Sequence, residues 1–173
     1  MLYNEQLRAV LILHFRSGRF AGRQVDCLVE HVDMFPTIAD ILGETLVHDP
    51  NLKGYSLLPA ISGNGCPDRR YVLAQRRAFQ NMPTDLNAFE SGNKFALQDG
   101  RYKYILWTDG PHELYDLRQD PYETRNLVGT GLPVENDLRT ALLDKLEGLT
   151  PVLPGHAAVV DAATMEQLRA LGY

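Results

Sequence analysis

Residues 95–117, FALQDGRYKYILWTDGPHELYDL, contain the clearest pattern of short strands and turns in the chain. Their apolar segments are short, and the pair Asp99-Gly100 between two of them is the strongest short-range signal for a β-hairpin. Turn residues at 108–111 then return the chain as a further strand. Together with one earlier segment, the pattern predicts an antiparallel meander whose strands are 71–75, 95–98, 102–108 and 113–117.

The N-terminal part of the chain has a different pattern. Arg8–Phe15 is a nearly continuous apolar run, which is typical of a strand covered on both faces in a parallel α/β sheet. Val25–Val32 predicts a second strand. Asp33 is placed as the N-cap of a helix that Gly43 ends. Four apolar residues with helical spacing are expected to form its buried face: Phe35, Ile38, Ile41 and Leu42.

Two amphipathic segments follow the meander. The first predicts a helix with an apolar stripe, and the second predicts a helix from Thr164 to Gly172. The stripe consists of Leu138, Ala141, Leu142, Leu146 and Leu149. The change from doubly buried strands to turn-linked short strands places a boundary near residue 70. We therefore predict an α/β fragment, the end of a large mixed-sheet domain, at residues 1–70. Residues 71–173 are predicted to form a small α+β domain with an antiparallel four-stranded sheet and packed helices.

The charge distribution argues against two classes of partner. The 173 residues carry a net charge of −5, with both signs interleaved along the chain, which is unlike a nucleic-acid or anionic-membrane surface. No run approaches the ~20 apolar residues of a membrane span. The first residues show no basic segment followed by an apolar one, so no signal peptide is visible. We expect neither nucleic acid nor a membrane as a partner, and the sequence leaves the localisation undetermined.

The two cysteines show neither a disulfide framework nor metal-ligand spacing. Cys27 lies in an apolar run and is predicted to be a buried thiol. Cys66 lies in a loop rich in glycine and proline and is predicted to be exposed. Neither cysteine decides the redox compartment.

One acidic cluster could offer oxygens to a hard divalent cation. Asp26, Glu30 and Asp33 lie close together in sequence, next to His31, and such cations need several converging oxygens. The capping role of Asp33 is the favoured interpretation. We therefore predict no catalytic residue, no metal ligand and no cofactor site in this chain.

Two adjacent arginines end the first strand of the meander. The guanidinium groups of Arg76 and Arg77 suit anionic ligands because they are planar and permanently charged. Neighbouring residues on a strand point to opposite faces, so at most one of them faces any single pocket. A solvated strand end is the favoured interpretation, and Arg76 and Arg77 are the candidates for a substrate-contacting rim.

Four blocks of sequence occur here in the same order as similar blocks in one known family. They are Tyr3–Leu13, HVDMFPTI at 31–38, KGYSLLP at 53–59, and Tyr102–Leu127 together with the terminal LRALGY at 168–173. In this order they resemble the C-terminal region of the sulfatases, the sulfuric ester hydrolases of the alkaline phosphatase superfamily. The resemblance implies the end of a large α/β domain. It also implies a small four-stranded domain that closes over one edge of the active-site cleft.

The catalytic residues of that family do not carry over. The resemblance implies that its calcium-binding acids, formylglycine cysteine, histidines and lysines precede Tyr3. The segment Cys66-Pro67-Asp68-Arg69 differs from the family's Cys-x-Pro-x-Arg motif, because proline follows the cysteine directly and the arginine comes one position early. Calcium and formylglycine are thus implied for the family, but without a position in this chain.

Three functional hypotheses remain. The first is the C-terminal part of a sulfatase-like hydrolase, inactive alone, which associates with an N-terminal catalytic portion or with itself. The second is a free-standing, non-catalytic module that binds an anionic sugar or a partner. The third is part of a phosphonate or phosphodiester hydrolase of the same superfamily. A bare apolar run at Val10–Phe15 would favour the first hypothesis over the second.

Overall fold

The computed structural model describes residues 2–44, 53–76 and 92–149. Its helices are α1 (Asn4–Leu7), α2 (Met34–Ile41), α3 (Leu58–Ser62) and α4 (Pro133–Glu147), and a 3₁₀ turn at His31–Asp33 leads into α2. Its strands are β1 (Val72–Arg76), β2 (Lys94–Gln98), β3 (Tyr102–Trp107) and β4 (Glu113–Asp116). No helix in these ranges is long and apolar enough to cross a membrane.

The four strands form one antiparallel sheet in the order β1-β2-β3-β4, which confirms the predicted meander. The loop between β2 and β3 has the three residues 99–101. Asp99 Oδ1 accepts hydrogen bonds from the main-chain N–H of Arg101 (2.7 Å) and of Tyr102 (2.6 Å). Gly100 does not adopt a positive φ, so the aspartate side chain rather than the glycine sets this turn.

One face of the sheet, called the inner face below, carries Ala96, Ile105 and Tyr115. These side chains are buried together with Leu2, and Tyr3 packs against them at the edge of the cluster. The segment before α1 therefore covers the middle of this face. Because Ala96 and Ile105 are direct partners in the β2–β3 register, the cluster rests on the centre of the sheet.

The opposite face carries a second set of buried side chains. Leu97, Tyr104 and Leu114 are at most 1% exposed, and so are Leu138 and Leu142 of α4. Residues of α4 also interact electrostatically with the Tyr104 hydroxyl. The helix predicted at 138–149 is therefore confirmed as α4, although it begins earlier, at Pro133.

The domain boundary near residue 70 remains a prediction. Contacts group Met1–Leu142 into one compact unit and Leu143–Tyr173 into another. The described part of the second unit is the end of α4 and the two residues after it. The helix predicted from Thr164 lies outside the described residues.

The strands expected at 8–15 and 25–32 do not form. Among the described residues, only β1 to β4 are strands. Val10 and Ile12 are 87% and 82% exposed. A strand covered on both faces needs neighbouring strands for its main-chain hydrogen bonds, and this structure offers the run none. The prediction was wrong because it assumed those neighbours.

Helix α2 forms where it was predicted, but it buries a different face. Gly43, at φ +75°, donates its N–H to the carbonyl of Asp40 and ends the helix as expected. Phe35, expected in the core, is 61% exposed, while Thr37 is 3% exposed. The Thr37 hydroxyl accepts a hydrogen bond from the N–H of Leu57 at 2.9 Å. This polar contact turns Thr37 toward the 53–61 segment and the apolar stripe outward.

The cysteine prediction was wrong in two respects. Cys66 is exposed, as predicted, but Cys27 is only half-buried, and the two sulfurs form a disulfide. They are 39 residues apart in sequence. The two cysteines come together because the 53–70 segment folds back on the chain. A single pair of cysteines this far apart has no spacing pattern from which a disulfide could be predicted.

Candidate functional site

The carboxylate of Asp33 accepts four hydrogen bonds although Asp33 is 0% exposed. Arg69 donates to it from both terminal guanidinium nitrogens, each at 2.6 Å. The main-chain N–H groups of Glu30 and Tyr55 donate to the same carboxylate at 2.8 and 2.9 Å. Both oxygens therefore accept one charged and one main-chain hydrogen bond, which is the geometry of a strong bidentate pair.

These contacts join segments that are distant in sequence. The Glu30 carboxylate accepts a hydrogen bond from the N–H of Leu73 at 2.7 Å and lies 3.4 Å from Arg69. The guanidinium of Arg69 also lies over the Tyr55 ring, 5.0 Å from its centroid. The start of α2, the 53–61 segment and the beginning of β1 thus meet at one arginine. We call Glu30, Asp33, Tyr55 and Arg69 the arginine cluster.

The ionisation of Asp33 follows from this setting. Burial alone would raise its pKa, but the hydrogen bonds from Arg69 and from the two main-chain amides outweigh burial and hold the pKa below its ordinary value. The same pairing raises the pKa of Arg69 against the opposing effect of burial. The pair is therefore charged at any physiological pH.

The predicted capping role of Asp33 needs a correction. Its side chain makes no capping bond to α2 and instead reaches back to the N–H of Glu30. The oxygens of Asp33 are already used, so the acidic cluster does not present the converging free ligands of a cation site. In the described ranges no group of three His, Cys, Asp or Glu side chains is placed to hold a metal.

Gly54 lies behind the arginine cluster and permits its close packing. Its φ is +102°, and a Cβ at this position would overlap the main-chain carbonyl oxygen of Val32. A side chain would meet backbone that cannot move aside without shifting the start of α2. The glycine is therefore required by a close approach as well as by its φ.

A second polar group lies on the inner face of the sheet. Glu113 accepts hydrogen bonds from the hydroxyls of Tyr3 at 2.8 Å and Tyr115 at 2.7 Å. Lys94 Nζ is 4.0 Å from the other carboxylate oxygen. Burial, and then the adjacent Glu113 carboxylate, raise the pKa of Tyr115 far above its ordinary value. Tyr115 thus remains a hydrogen-bond donor and is no general base at neutral pH.

A buried lysine fixes the first residues of the chain to the sheet. Lys103 is 0% exposed; it forms an ion pair with Glu123 and donates to the Leu2 carbonyl (3.1 Å) and to Asn4 Oδ1 (3.0 Å). Burial lowers the pKa of Lys103, and Glu123 partly offsets this. Glu123 has φ +56° and also accepts the N–H of Asn4 at 2.6 Å.

The sequence analysis missed Lys103 and Glu113 as buried groups. Both were taken as ordinary strand residues. The signal was nevertheless present, because Lys103, Ile105 and Trp107 alternate along β3 and so share one face. A lysine on an apolar face of a sheet requires a buried partner of opposite charge. That partner, Glu123, lies 20 positions later in a turn, so the alternation along the strands does not predict it.

The structure places one of the two rim candidates. Arg76 is opposite Lys94 in the β1–β2 register, and Lys94 is opposite Trp107 in the β2–β3 register. The three side chains therefore share the inner face. Arg76 donates to the Gly92 carbonyl at 3.4 Å, and the Lys94 ammonium lies 4.1 Å from the centroid of the Trp107 ring. Arg77 lies outside the described residues, and a rim role for either arginine stays a prediction.

The Cys66–Arg69 segment and the aspartates at positions 116 and 120 are held in structural contacts. Cys66 is in the disulfide, so it has no thiol, and Arg69 of the same segment is held in the arginine cluster. Asp116 binds Arg101 at 3.0 Å and accepts the N–H of Arg118. Asp120 accepts main-chain and hydroxyl donors of the following turn. Through these contacts both aspartates fix the backbone of the turns that follow β4.

Exposed apolar side chains are concentrated in the first 42 residues. In the described part of the chain most of the large exposed ones lie there: Val10, Leu11, Ile12, Leu13, Val25, Val29, Val32, Met34, Phe35, Ile38 and Leu42. The run Val10–Leu13 is thus bare, with Leu11 at 45% and Leu13 at 38% exposure. Soluble monomers rarely leave so much apolar surface uncovered. We call these side chains the exposed apolar set.

Comparison with known proteins gives a consistent result. Residues 1–151 match the family described as N-sulphoglucosamine sulphohydrolase, C-terminal. Arylsulfatase K from Mus musculus is 34% identical over 126 residues, which is 69% of this chain and 21% of that protein. The choline-sulfatase of Rhizobium meliloti is 30% identical over 116 residues, covering 66% of this chain and 20% of that protein.

Solved structures show the same fold. The phosphonate monoester hydrolase of Agrobacterium radiobacter superposes with a TM-score of 0.50 at 27% identity, over 89% of this chain and 27% of that one. The structure of BT4656 in complex with D-glucosamine-2-N,6-O-disulfate has a TM-score of 0.53 at 22% identity, over 66% of this chain and 23% of that one.

The chain spans about a fifth of the length of the curated relatives that it matches. Three observations indicate the same region of these relatives. They are the match to a C-terminal family, the four-stranded sheet with packed helices, and the order of the sequence blocks. The chain belongs to the sulfatase family of the alkaline phosphatase superfamily and corresponds to the C-terminal region of its members.

Proposed function

We propose that this chain forms the C-terminal part of a hydrolase of sulfate esters, and that the groups that cleave the ester belong to an N-terminal portion packed against it. The nucleophile, the calcium ligands and the calcium itself would all lie in that portion. The family and the coverage of about a fifth of the relatives support this proposal. The observation that carries it is the exposed apolar set.

The size of the exposed apolar set supports the proposal of a partner. Val10, Ile12, Phe35 and Leu42 are each 61% exposed or more. Burying one such side chain stabilises a protein by roughly 1.5–3 kcal/mol. Burying these four would contribute roughly 6–12 kcal/mol, which is comparable to the whole stability of a small domain. A surface of this kind is suited to a permanent interface and not to a module that acts alone.

The coding sequence directly upstream of Met1 is the first test. We expect a lysine shortly before Met1, and further upstream an Asp-Asn pair and a Cys-x-Pro-x-Arg motif. An in-frame stop codon immediately upstream, in a chain that is also monomeric, would instead favour the free-standing binding module.

The isolated chain should not hydrolyse an aryl sulfate. Turnover by the purified chain, lost on Cys66→Ala substitution, would contradict the proposal. The phosphonate monoester hydrolase resemblance makes a phosphonate ester the matched second substrate. In the longer protein, faster cleavage of the phosphonate ester than of the sulfate ester would assign the chain to that class.

Light scattering tests the exposed apolar set. We expect the isolated chain to self-associate, and a Val10→Ser/Ile12→Ser variant to shift toward the monomer. Tyr122→Ser is the matched control, because Tyr122 is also apolar and 86% exposed but lies in the turn after β4. Equal behaviour of the two variants would show that Val10 and Ile12 do not drive association.

Arg76 extends the same proposal to the substrate. Its position beside Lys94 on the inner face supports contact with an anionic group of the ester. In the longer protein, Arg76→Ala should raise KM more than it lowers kcat. Arg139→Ala on α4 is the control, because α4 packs on the opposite face of the sheet. An unchanged KM would remove Arg76 from the rim.

A further inference from the structure

The disulfide joins two segments that have no regular structure of their own. Cys27 lies between Arg23 and Glu30, where no helix or strand forms, and Cys66 follows the end of α3. The two Cα atoms are 5.7 Å apart, which is within the usual range for a disulfide. The bond therefore crosses a gap that backbone hydrogen bonds of sheet or helix do not span.

The other contacts of this region lie mainly at its C-terminal end. Arg69 donates to the Leu28 carbonyl at 3.4 Å, and Glu30 accepts the N–H of Leu73. Nearer to Cys27, the guanidinium of Arg23 packs closely against Gly63. Residues 28–33 are thus anchored by the arginine cluster, whereas residues 23–27 meet the loop after α3 through the disulfide, through Arg23, and through the Asp26 carbonyl oxygen, 3.7 Å from Cys66 Sγ.

We propose that Cys27 and Cys66 form a reversible covalent clamp, whose redox state decides whether residues 23–27 stay on the loop after α3. In the oxidised state the segment is fixed. In the reduced state it detaches, while the arginine cluster and the sheet remain folded. The clamp is a device separate from the sulfatase chemistry, since neither cysteine takes part in the proposed reaction.

The exposure of Cys66 determines how the clamp opens. A dithiol reductant reaches the Cys66 sulfur first, because Cys66 is exposed and Cys27 is half-buried. A thiolate of the reductant forms a mixed disulfide with Cys66 and releases Cys27 as a thiolate, which takes up a proton. The second thiol of the reductant then displaces Cys66. Two electrons pass to the protein, two protons complete its two thiols, and the reductant becomes a disulfide. Closure is the reverse reaction with a disulfide oxidant.

Peptide mapping and thiol counting test the bond itself. The protein is purified without reductant, equilibrated with oxidised glutathione and digested without reduction. We expect a linked pair of peptides containing Cys27 and Cys66 and no titratable thiol, and two thiols after treatment with a phosphine reductant. Two free thiols in the oxidised protein would overturn the inference.

Hydrogen exchange tests the local character of the clamp. Reduction should accelerate exchange of amides in 23–27 and 63–66 by at least about tenfold, and leave amides of β2 to β4 within about twofold. A Cys27→Ser/Cys66→Ser variant should match the reduced protein and stop responding to the reductant. Unchanged exchange at 23–27, or equal acceleration in the sheet, would show that the bond is no local clamp.

Discussion

Replacing Arg69 by methionine tests whether the arginine cluster holds the N-terminal part of the fold together. Methionine keeps much of the length of arginine but leaves the Asp33 carboxylate buried without its charged partner. The side chains of Arg69 and Asp33 are 6% and 0% exposed, so solvent cannot take over the lost contact. Removing one partner of a buried pair costs about 3–5 kcal/mol. Two main-chain donors to Asp33 remain, which places the expected loss toward the lower end of that range.

The amide of Tyr55 is the appropriate probe, because it donates to Asp33 at 2.9 Å. A loss of about 3–5 kcal/mol accelerates its hydrogen exchange by roughly two to nearly four orders of magnitude. Urea denaturation of the same samples gives the change in the free energy of unfolding. Arg70→Met is the control: Arg70 is adjacent and exposed, and it should change stability by no more than about 0.5 kcal/mol.

A double-mutant cycle with Asp33→Asn separates the ion pair from lost packing. Asparagine carries no charge, so the Asp33→Asn/Arg69→Met variant should be more stable than the sum of the two single losses predicts, by about 2 kcal/mol. The Arg69→Met loss should also shrink at acidic pH, where protonation neutralises the unpaired Asp33. Additive single losses, or an Arg69→Met variant as stable as Arg70→Met, would refute the reasoning.

Three further outcomes follow from the described contacts. Leu142→Ala should lower the free energy of unfolding by about 2–5 kcal/mol, whereas Leu143→Ala, at an exposed position of the same helix, should cost less than about 1 kcal/mol; urea denaturation measures both. Gly54→Ala should cost about 1–3 kcal/mol, because its φ is +102° and the new Cβ meets backbone; a thermal melt no lower than that of the parent would contradict this. The folded-state pKa of Asp33 is lowered, so its stabilisation is complete above about pH 4 and is lost as the pH falls through that pKa; urea midpoints between pH 6 and pH 2 should fall more steeply for the parent than for Asp33→Asn.

The parts of the fold that sequence predicted correctly depend on nearby residues. Asp99 forms its turn with the N–H groups of the next few residues, and Gly43 ends α2 through the carbonyl of Asp40. The α4 stripe was confirmed at Leu138 and Leu142, because helical spacing alone places them on one side. In each case the deciding interaction lies within a few positions of the residue.

The failures involve partners far away in the chain. Asp33 is 36 residues from Arg69, and Cys27 is 39 residues from Cys66. Local rules gave Asp33 a capping role because a helix starts after it, and gave Cys27 an apolar environment because its neighbours are apolar. Neither rule takes into account that the 53–70 segment folds back on the chain. This segment contains both partners, Arg69 and Cys66. The candidate site was therefore less predictable than the sheet.

The failed strand at 8–15 has a different cause from the other errors. A run that is apolar on both faces has a sequence suited to a sheet with neighbours on each side. In the structure the run makes no strand, and Val10 and Ile12 are almost fully exposed. Both facts have one explanation if the neighbours belong to the N-terminal portion that we propose. Hydrogen exchange in the longer protein distinguishes this explanation from a strand prediction that was simply incorrect. Amides of residues 9–13 should exchange slowly there and fast in the isolated chain, while those of β3 stay slow in both. Fast exchange at 9–13 in both proteins would mean that the run is not a strand in either, and the main support for the docked N-terminal portion would be lost.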